Sequence, residues 1–84
     1  MKVYTVIEDV IYGGSGRPAS GTIRIVYKGE MDKLPVDVPY NSRDTERTYI
    51  VTNYSSLQKA REYYQSVQMN WSRESHNITF IDDI

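Results

Sequence analysis

The chain has 84 residues, ten Lys and Arg against eleven Asp and Glu, and no cysteine. This length fits one domain over residues 1–84, and a formal net charge of −1 gives neither the basic excess of a nucleic-acid-binding protein nor the charge asymmetry of a membrane-surface protein. The composition also excludes disulfides and zinc–thiolate sites, no apolar run approaches the roughly 18 residues of a membrane span, and residues 1–5 lack the layout of a secretory signal, so we expect a cytoplasmic domain.

The first part of the chain predicts a long β-hairpin. Residues 2–12 are rich in β-branched and aromatic types on both alternate sets, which indicates a strand covered on both faces or a bulge near Glu8 and Asp9. Residues 13–20, with the sequence GGSGRPAS, have the composition of a loop. Residues 22–28 alternate as a strand with one buried face. Its inward side chains are Ile23, Ile25 and Tyr27.

The middle of the chain predicts one weak strand and one stronger strand. Residues 34–40 contain two prolines, which cannot donate hydrogen bonds to a neighbouring strand, so a strand there belongs at a sheet edge. Residues 41–47 are polar and predict an exposed loop. Residues 48–52 predict the stronger strand, and residues 78–81 predict the last one.

Residues 55–71 are the part of the chain that predicts a helix. Their apolar side chains recur at helical spacing along a single stripe. The stripe consists of Leu57, Ala60, Tyr64, Val67 and Trp71. Ser55 and Gln58 fit a capping box, with Ser56 as the alternative N-cap.

The order strand, strand, weak strand, strand, helix, strand predicts an α+β fold. One helix covers only one face of a four- to five-stranded sheet, so we expect a two-layer sandwich with a mostly antiparallel sheet. The other face of the sheet must then be polar or be covered by another element. If the last strand lies parallel beside residues 48–52, the helix forms a right-handed crossover between the two strands.

No group of residues in the sequence predicts a catalytic or metal site. The Gly-rich loop lacks the Gly-Lys-Ser/Thr ending and the following helix of a phosphate-binding loop. His76, the one histidine, stands in a polar connection, where exposure to solvent explains it. Glu8 and Asp9 point to opposite faces of a strand, and so do Asp82 and Asp83. We therefore expect a non-catalytic protein with no cofactor and no metal.

Nucleic-acid binding is the alternative function. Arg24 and Lys28 share the outward face of the second predicted strand, and Arg17 lies in the adjoining loop. Tyrosines of the same sheet would stack bases. A pI near 5.7 and the absence of a ribonucleoprotein motif argue against this alternative.

Protein binding fits the remaining pattern best. The expected loops carry mixed charges and tyrosine, and Tyr and Arg are enriched at binding hot spots. In general character the chain resembles the small inhibitors that bacteriophages and mobile elements encode against host proteins, including anti-CRISPR and other anti-defence factors. This is a resemblance of class with no shared motif, and it implies an inhibitor that occupies a surface of its partner in the host cytoplasm.

The candidate contact residues form two groups. On the first hairpin they are Tyr12, Arg17 and Arg24. On and beside the polar loop they are Tyr40, Arg43, Asp44, Glu46 and Arg47. The expected partner is another protein. A second copy of the chain is an alternative partner, because a sheet with one covered face can bury its other face against itself.

Overall fold

One helix packs on one face of a five-stranded sheet, which confirms the expected two-layer α+β fold. The computed structural model describes residues 1–13, 18–42, 46–74 and 76–84. The elements in chain order are β1 (Lys2–Tyr12), β2 (Pro18–Glu30), β3 (Val38–Ser42), β4 (Arg47–Tyr54), α1 (Leu57–Glu74) and β5 (Ile78–Asp83).

The strand order is β3-β4-β1-β2-β5, which places β1 at the centre of the sheet. β1 pairs antiparallel with both β2 and β4, whereas β5 runs parallel to β2. The arrangement considered for the last strand, parallel beside residues 48–52, does not occur, because β5 pairs with β2 instead. Both sides of β4 are occupied, one by β3 and the other by β1, so the chain crosses over β1 and β2 before it forms β5.

Two segments that we expected to be loops belong partly to strands. The Gly-rich loop ends before Pro18, where β2 begins and extends the antiparallel ladder with β1. Gly21 permits this close pairing, since a Cβ there would stand 2.7 Å from the carbonyl oxygen of Asp9. The polar loop is shortened too, with residues 41–42 in β3 and Arg47 in β4. Local composition favours a turn in both places, and pairing with the neighbouring strand outweighs it.

β1 departs from regular pairing with β2 near its two ends. The register shifts occur after Val3 and after Ile11. Of the two alternatives for this segment, the bulge near Glu8 and Asp9 is wrong, because the ladder is regular there. Apolar residues fall on both alternate sets of β1 because part of the strand is covered on both faces: Val3 and Thr5 are buried on the side away from the helix.

The helix begins after Ser56 and extends three residues beyond the predicted end. The hydroxyl oxygen of Ser56 accepts the backbone N–H of Lys59 at 3.3 Å, so Ser56 rather than Ser55 is the N-cap. Arg73 lies in the last turn, where a cation is favoured by the helix dipole.

The core lies between the apolar stripe of α1 and the central strands. Its buried members are Val6, Val10, Ile23, Ile25, Ala60, Tyr64, Val67 and Ile78. Complete burial of each Val or Ile side chain contributes about 1.5–3 kcal/mol, so this layer holds the helix on the sheet. Tyr27 differs from the expectation of an inward side chain, because it is 46% exposed at the margin, with its ring centroid 5.4 Å from that of Tyr4.

The connection formed by residues 31–37 covers one end of the sheet face that lies away from α1. It leads from the end of β2 to the start of β3, past the ends of β1 and β4. The hydroxyl of Thr5 donates to Oδ1 of Asn53 at 2.7 Å, and the backbone N–H of Asn53 donates to Oδ1 of Asp37 at 2.7 Å. Thr5 and Asn53 are buried as a result.

A buried carboxyl group lies between the helix and the sheet. Glu8 of β1 faces α1 and is only 4% exposed. The Tyr63 hydroxyl donates to its Oε2 at 2.7 Å, and the Trp71 indole N–H donates to its Oε1 at 3.2 Å. A buried carboxyl oxygen is costly unless it accepts a hydrogen bond. These two contacts therefore fix the direction of α1 over β1 in a way that apolar packing alone does not.

We expect Tyr63→Phe to lower the free energy of unfolding by about 1–3 kcal/mol, because the variant leaves Oε2 of Glu8 buried without its donor. Urea denaturation measures the change. Tyr27→Phe is the matched control, since it removes the same hydroxyl from a half-exposed ring, and we expect a change within about 0.5 kcal/mol. Equal effects of the two variants would contradict the role given to Glu8.

Stability should also fall at alkaline pH because of Tyr63. Burial, and after it the hydrogen bond to Glu8, raises the pKa of Tyr63 from its ordinary value of 10.0 to about 12. Between these pH values the unfolded chain has released a proton that the folded chain retains, so the free energy of unfolding decreases as the pH rises. Denaturation at a series of pH values from about 10 to about 12 should give a steeper decrease for the unchanged protein than for Tyr63→Phe. Parallel decreases would mean that Tyr63 titrates normally.

Candidate binding face

Beyond the 31–37 connection, no described residue covers the sheet face away from α1, and we call this part the open face. Alternation along β1 directs Glu8 toward the helix and its neighbours Ile7 and Asp9 toward the open face. Cross-strand pairing then places side chains from all five strands on the same surface. The open face includes Ile7, Asp9, Ile11, Thr22, Arg24, Val38, Tyr40, Arg47, Tyr49, Val51, Thr79, Ile81 and Asp83.

Asp9 and Arg47 form a bidentate ion pair on the open face. Nε and Nη2 of Arg47 donate to Oδ1 and Oδ2 of Asp9 at 2.9 and 3.0 Å. The hydrogen bond to Asp9, followed by the attraction of its charge, raises the pKa of Arg47. The guanidinium carbon also lies 5.0 Å from the centre of the Tyr49 ring, within cation–π range. One arginine therefore links β4 to β1 and holds Tyr49 beside the pair.

Arg24 and Asp83 form a second, looser pair. Nε of Arg24 lies 3.5 Å from Oδ2 of Asp83, and both side chains are about half exposed. The pair joins β2 to β5, as the first pair joins β4 to β1. Among the described residues of the open face, two arginines are thus matched by two aspartates, and the formal charge of the face is zero.

A shallow depression of about 300 Å³ lies at the centre of the open face. Its lining comes from the three central strands and consists of Ile7, Asp9, Thr22, Arg24 and Tyr49. Asp9 and Arg24 line the same depression, but each makes its ion pair with a residue elsewhere on the face. The Asp9 carboxylate, an acceptor, and the Arg24 guanidinium, a donor, therefore both line the depression, and each forms its ion pair with another residue.

Three of the candidate contact residues meet on the open face. Arg24 lies on β2, Tyr40 on β3 and Arg47 on β4. Tyr12 lies on the opposite side, where its hydroxyl is 3.0 Å from Oγ1 of Thr48 and its ring centroid is 6.4 Å from that of Trp71. It supports the packing of the helix instead of joining the other three.

The remaining candidates belong to the loops. Glu46 is exposed in the turn before β4, has a positive φ of 55° and accepts the backbone N–H of Tyr12 through its carbonyl oxygen at 2.7 Å. Arg17, Arg43 and Asp44 lie outside the described residues.

Sequence reasoning missed Asp9 and Tyr49 as members of the same surface. The alternation of β1 was sufficient to separate Asp9 from Glu8, but only the pairing of β1 with β4 sets Asp9 directly opposite Tyr49. No local pattern in the sequence reveals which distant strand lies beside which.

A cleft of about 430 Å³ lies beside the start of α1, at the end of the sheet where β5 ends. It is lined by Lys2, Tyr4, Tyr27, Leu57, Asp83 and Ile84, and it is mainly apolar. His76 is exposed in the turn before β5 and lines neither this cleft nor the depression of the open face. Within the described ranges, no three His, Asp or Glu side chains come together as a metal site.

In the part of the chain that the structure describes, no helix is both long and apolar enough to cross a membrane. Comparison of the chain with protein-family models, with curated proteins and with solved structures found no match.

Proposed function

We propose that this chain is a small, non-catalytic protein-binding domain that holds a partner protein against its open face. The observation that carries the proposal is the combination of exposed apolar side chains with charges that cancel within the face. Protein interfaces combine an apolar, aromatic centre with hydrogen-bonding groups and matched charges.

The apolar part of the open face continues beyond the sheet. Val38 and Ile11 are about half exposed, and in the adjoining connection Leu34 and Val36 also face solvent, with Val36 88% exposed. Apolar residues that alternate along a strand usually form its buried face. Here the alternating residues Leu34, Val36, Val38 and Tyr40 are all exposed to solvent. Several exposed apolar side chains in one segment are typical of an interaction site.

The charge pattern favours a protein partner over a nucleic acid. A phosphate backbone is bound by lysines and arginines that exchange small counterions for phosphates. Arg47 already donates to both oxygens of Asp9, and Arg24 stands next to Asp83. A polyanion would have to approach these aspartates as well as the arginines, so the face offers it little net attraction.

In this proposal the domain acts by occupancy. A domain that binds through a sheet face without supplying reactive groups changes its partner by covering the surface that it contacts. If that surface is the partner's own functional site, the result is inhibition, as in the phage-type inhibitors that the chain resembles in general character.

Val38→Asp and Ile11→Asp should each abolish capture of the partner, because either change puts a charge in place of an exposed apolar side chain and upsets the match of two arginines with two aspartates on the open face. The assay is a pull-down with the immobilised domain from a lysate of the cells that contain it, followed by quantitative mass spectrometry. Met69→Asp is the matched control, since Met69 lies on α1 and is 58% exposed. The proposal fails if both open-face variants retain a stoichiometric partner, or if nucleic acid alone is recovered.

Binding to single-stranded oligonucleotides should be weak and should show little dependence on salt. A titration at two salt concentrations measures this directly, because a protein that neutralises several phosphates loses affinity steeply as salt increases. A steep decrease that disappears in Arg24→Gln would instead support the alternative nucleic-acid function.

A further inference from the structure

The depression of the open face has opposite charges on its two sides. Asp9 lies on β1 and Arg24 on β2, at diagonal positions of the ladder, because Asp9 pairs with Thr22 and Arg24 pairs with Ile7. Diagonal neighbours on one sheet face have Cα atoms about 7–8 Å apart. Asp9 and Arg24 pair with other residues and both line the depression, so the space between them is open to one planar polar group. We call the space between Asp9 and Arg24, with Thr22, Ile7 and Tyr49 around it, the dipolar slot.

Both charged groups of the dipolar slot retain hydrogen-bonding capacity. Each carboxylate oxygen of Asp9 accepts one bond from Arg47, whereas an ionised carboxylate can accept about four bonds in total. The guanidinium of Arg24 has five N–H donors, and its contact with Asp83 is long, with Nε 3.5 Å from Oδ2. An acceptor and a donor are therefore available on facing sides of the slot.

We propose that the dipolar slot binds a side-chain carboxamide, Asn or Gln, of the partner protein. This inference rests on the proposed function and specifies the chemistry of its partner. The carboxamide oxygen accepts from Arg24, the carboxamide NH₂ donates to Asp9, and the apolar stem contacts Ile7 and Tyr49. A neutral group with both a donor and an acceptor satisfies both sides of the slot and keeps the charge of the interface at zero.

Charged guests fit the slot less well. A carboxylate that reached Arg24 would lie against Asp9, and an ammonium group that reached Asp9 would lie against Arg24. An aliphatic guest would bury both charged groups without new hydrogen bonds, which is strongly unfavourable. The base of a nucleotide also presents a donor and an acceptor on one edge. The phosphate of the same nucleotide, however, would meet arginines that are already paired with aspartates.

The test uses a phage-displayed library of random linear peptides selected on the intact domain. Selected peptides are synthesised and their Kd values measured against the unchanged domain, Arg24→Gln, Val38→Asp and Lys28→Gln. Lys28→Gln is the matched control, because it removes the same charge from an exposed position of the same strand. Thermal unfolding of each variant verifies that it is folded.

The expected peptides carry Asn or Gln at one recurring position between apolar residues. We expect Arg24→Gln to weaken their binding about tenfold or more, as loss of a hydrogen bond to a charged group does, and Lys28→Gln to leave it unchanged. Replacing the recurring Gln of the peptide by Glu, Lys or Leu should each weaken binding to a similar extent.

The results distinguish failure of the dipolar slot proposal from failure of the open face as a binding surface. Two results overturn the carboxamide proposal and leave the proposed function standing, both with peptides whose binding is lost in Val38→Asp. In the first, the peptides carry Asp, Glu, Lys or an apolar residue at the recurring position. In the second, their Kd is unchanged in Arg24→Gln. Competition by a guanine or adenine nucleotide at micromolar concentration overturns it in favour of a nucleobase. Failure to select any peptide that depends on Val38 counts against the open face as a binding surface, and the slot proposal fails with it.

Discussion

The alternation of β1 is the constraint on which the rest of the molecule depends. As the central strand, β1 directs Glu8 into the helix–sheet interface and Asp9 to the opposite face. On one side, Tyr63 and Trp71 satisfy the Glu8 carboxyl group and so set the position of α1. On the other, Asp9 receives both donors of the Arg47 fork, the stronger of the two ion pairs of the open face. A shift of β1 by one residue would exchange these roles and leave neither carboxylate with its partners.

The two faces of the sheet differ in how their carboxyl groups are paired. Under the helix, the buried carboxyl group of Glu8 accepts hydrogen bonds from Tyr63 and Trp71, so the cost of burial is offset locally. On the open face, charges stay at the surface and cancel in pairs between neighbouring strands, which contributes little to stability because water screens such pairs. What the pairs do supply is a surface without net charge, on which apolar and aromatic side chains determine what can bind.

Local patterns were sufficient to predict the layers of the fold but not its pairings. The alternation of residues 22–28 and the helical stripe from Leu57 to Trp71 are each contained in one segment, and both predicted the buried sides of their elements apart from the marginal Tyr27. The position of β5 beside β2 depends on which strand edges other segments have already taken, and no single segment contains that information. The candidate site divides in the same way: Arg24, Tyr40 and Arg47 were identified by residue type, whereas Asp9, Asp83 and Tyr49 join them only through cross-strand register.

The two edges of the sheet have unequal capacity to grow. At one edge, β3 is short and contains Pro39, which has no N–H to give to an added strand. At the other edge, β5 contains no proline and is paired only with β2 in the described sheet. Edge-to-edge polymerisation needs two competent edges on every molecule, one to offer a strand and one to receive it. Because Pro39 removes one donor from the β3 edge, β5 is the edge that keeps all of its N–H groups, and a sideways contact that pairs β5 with β5 of a second copy forms a closed pair rather than a fibre.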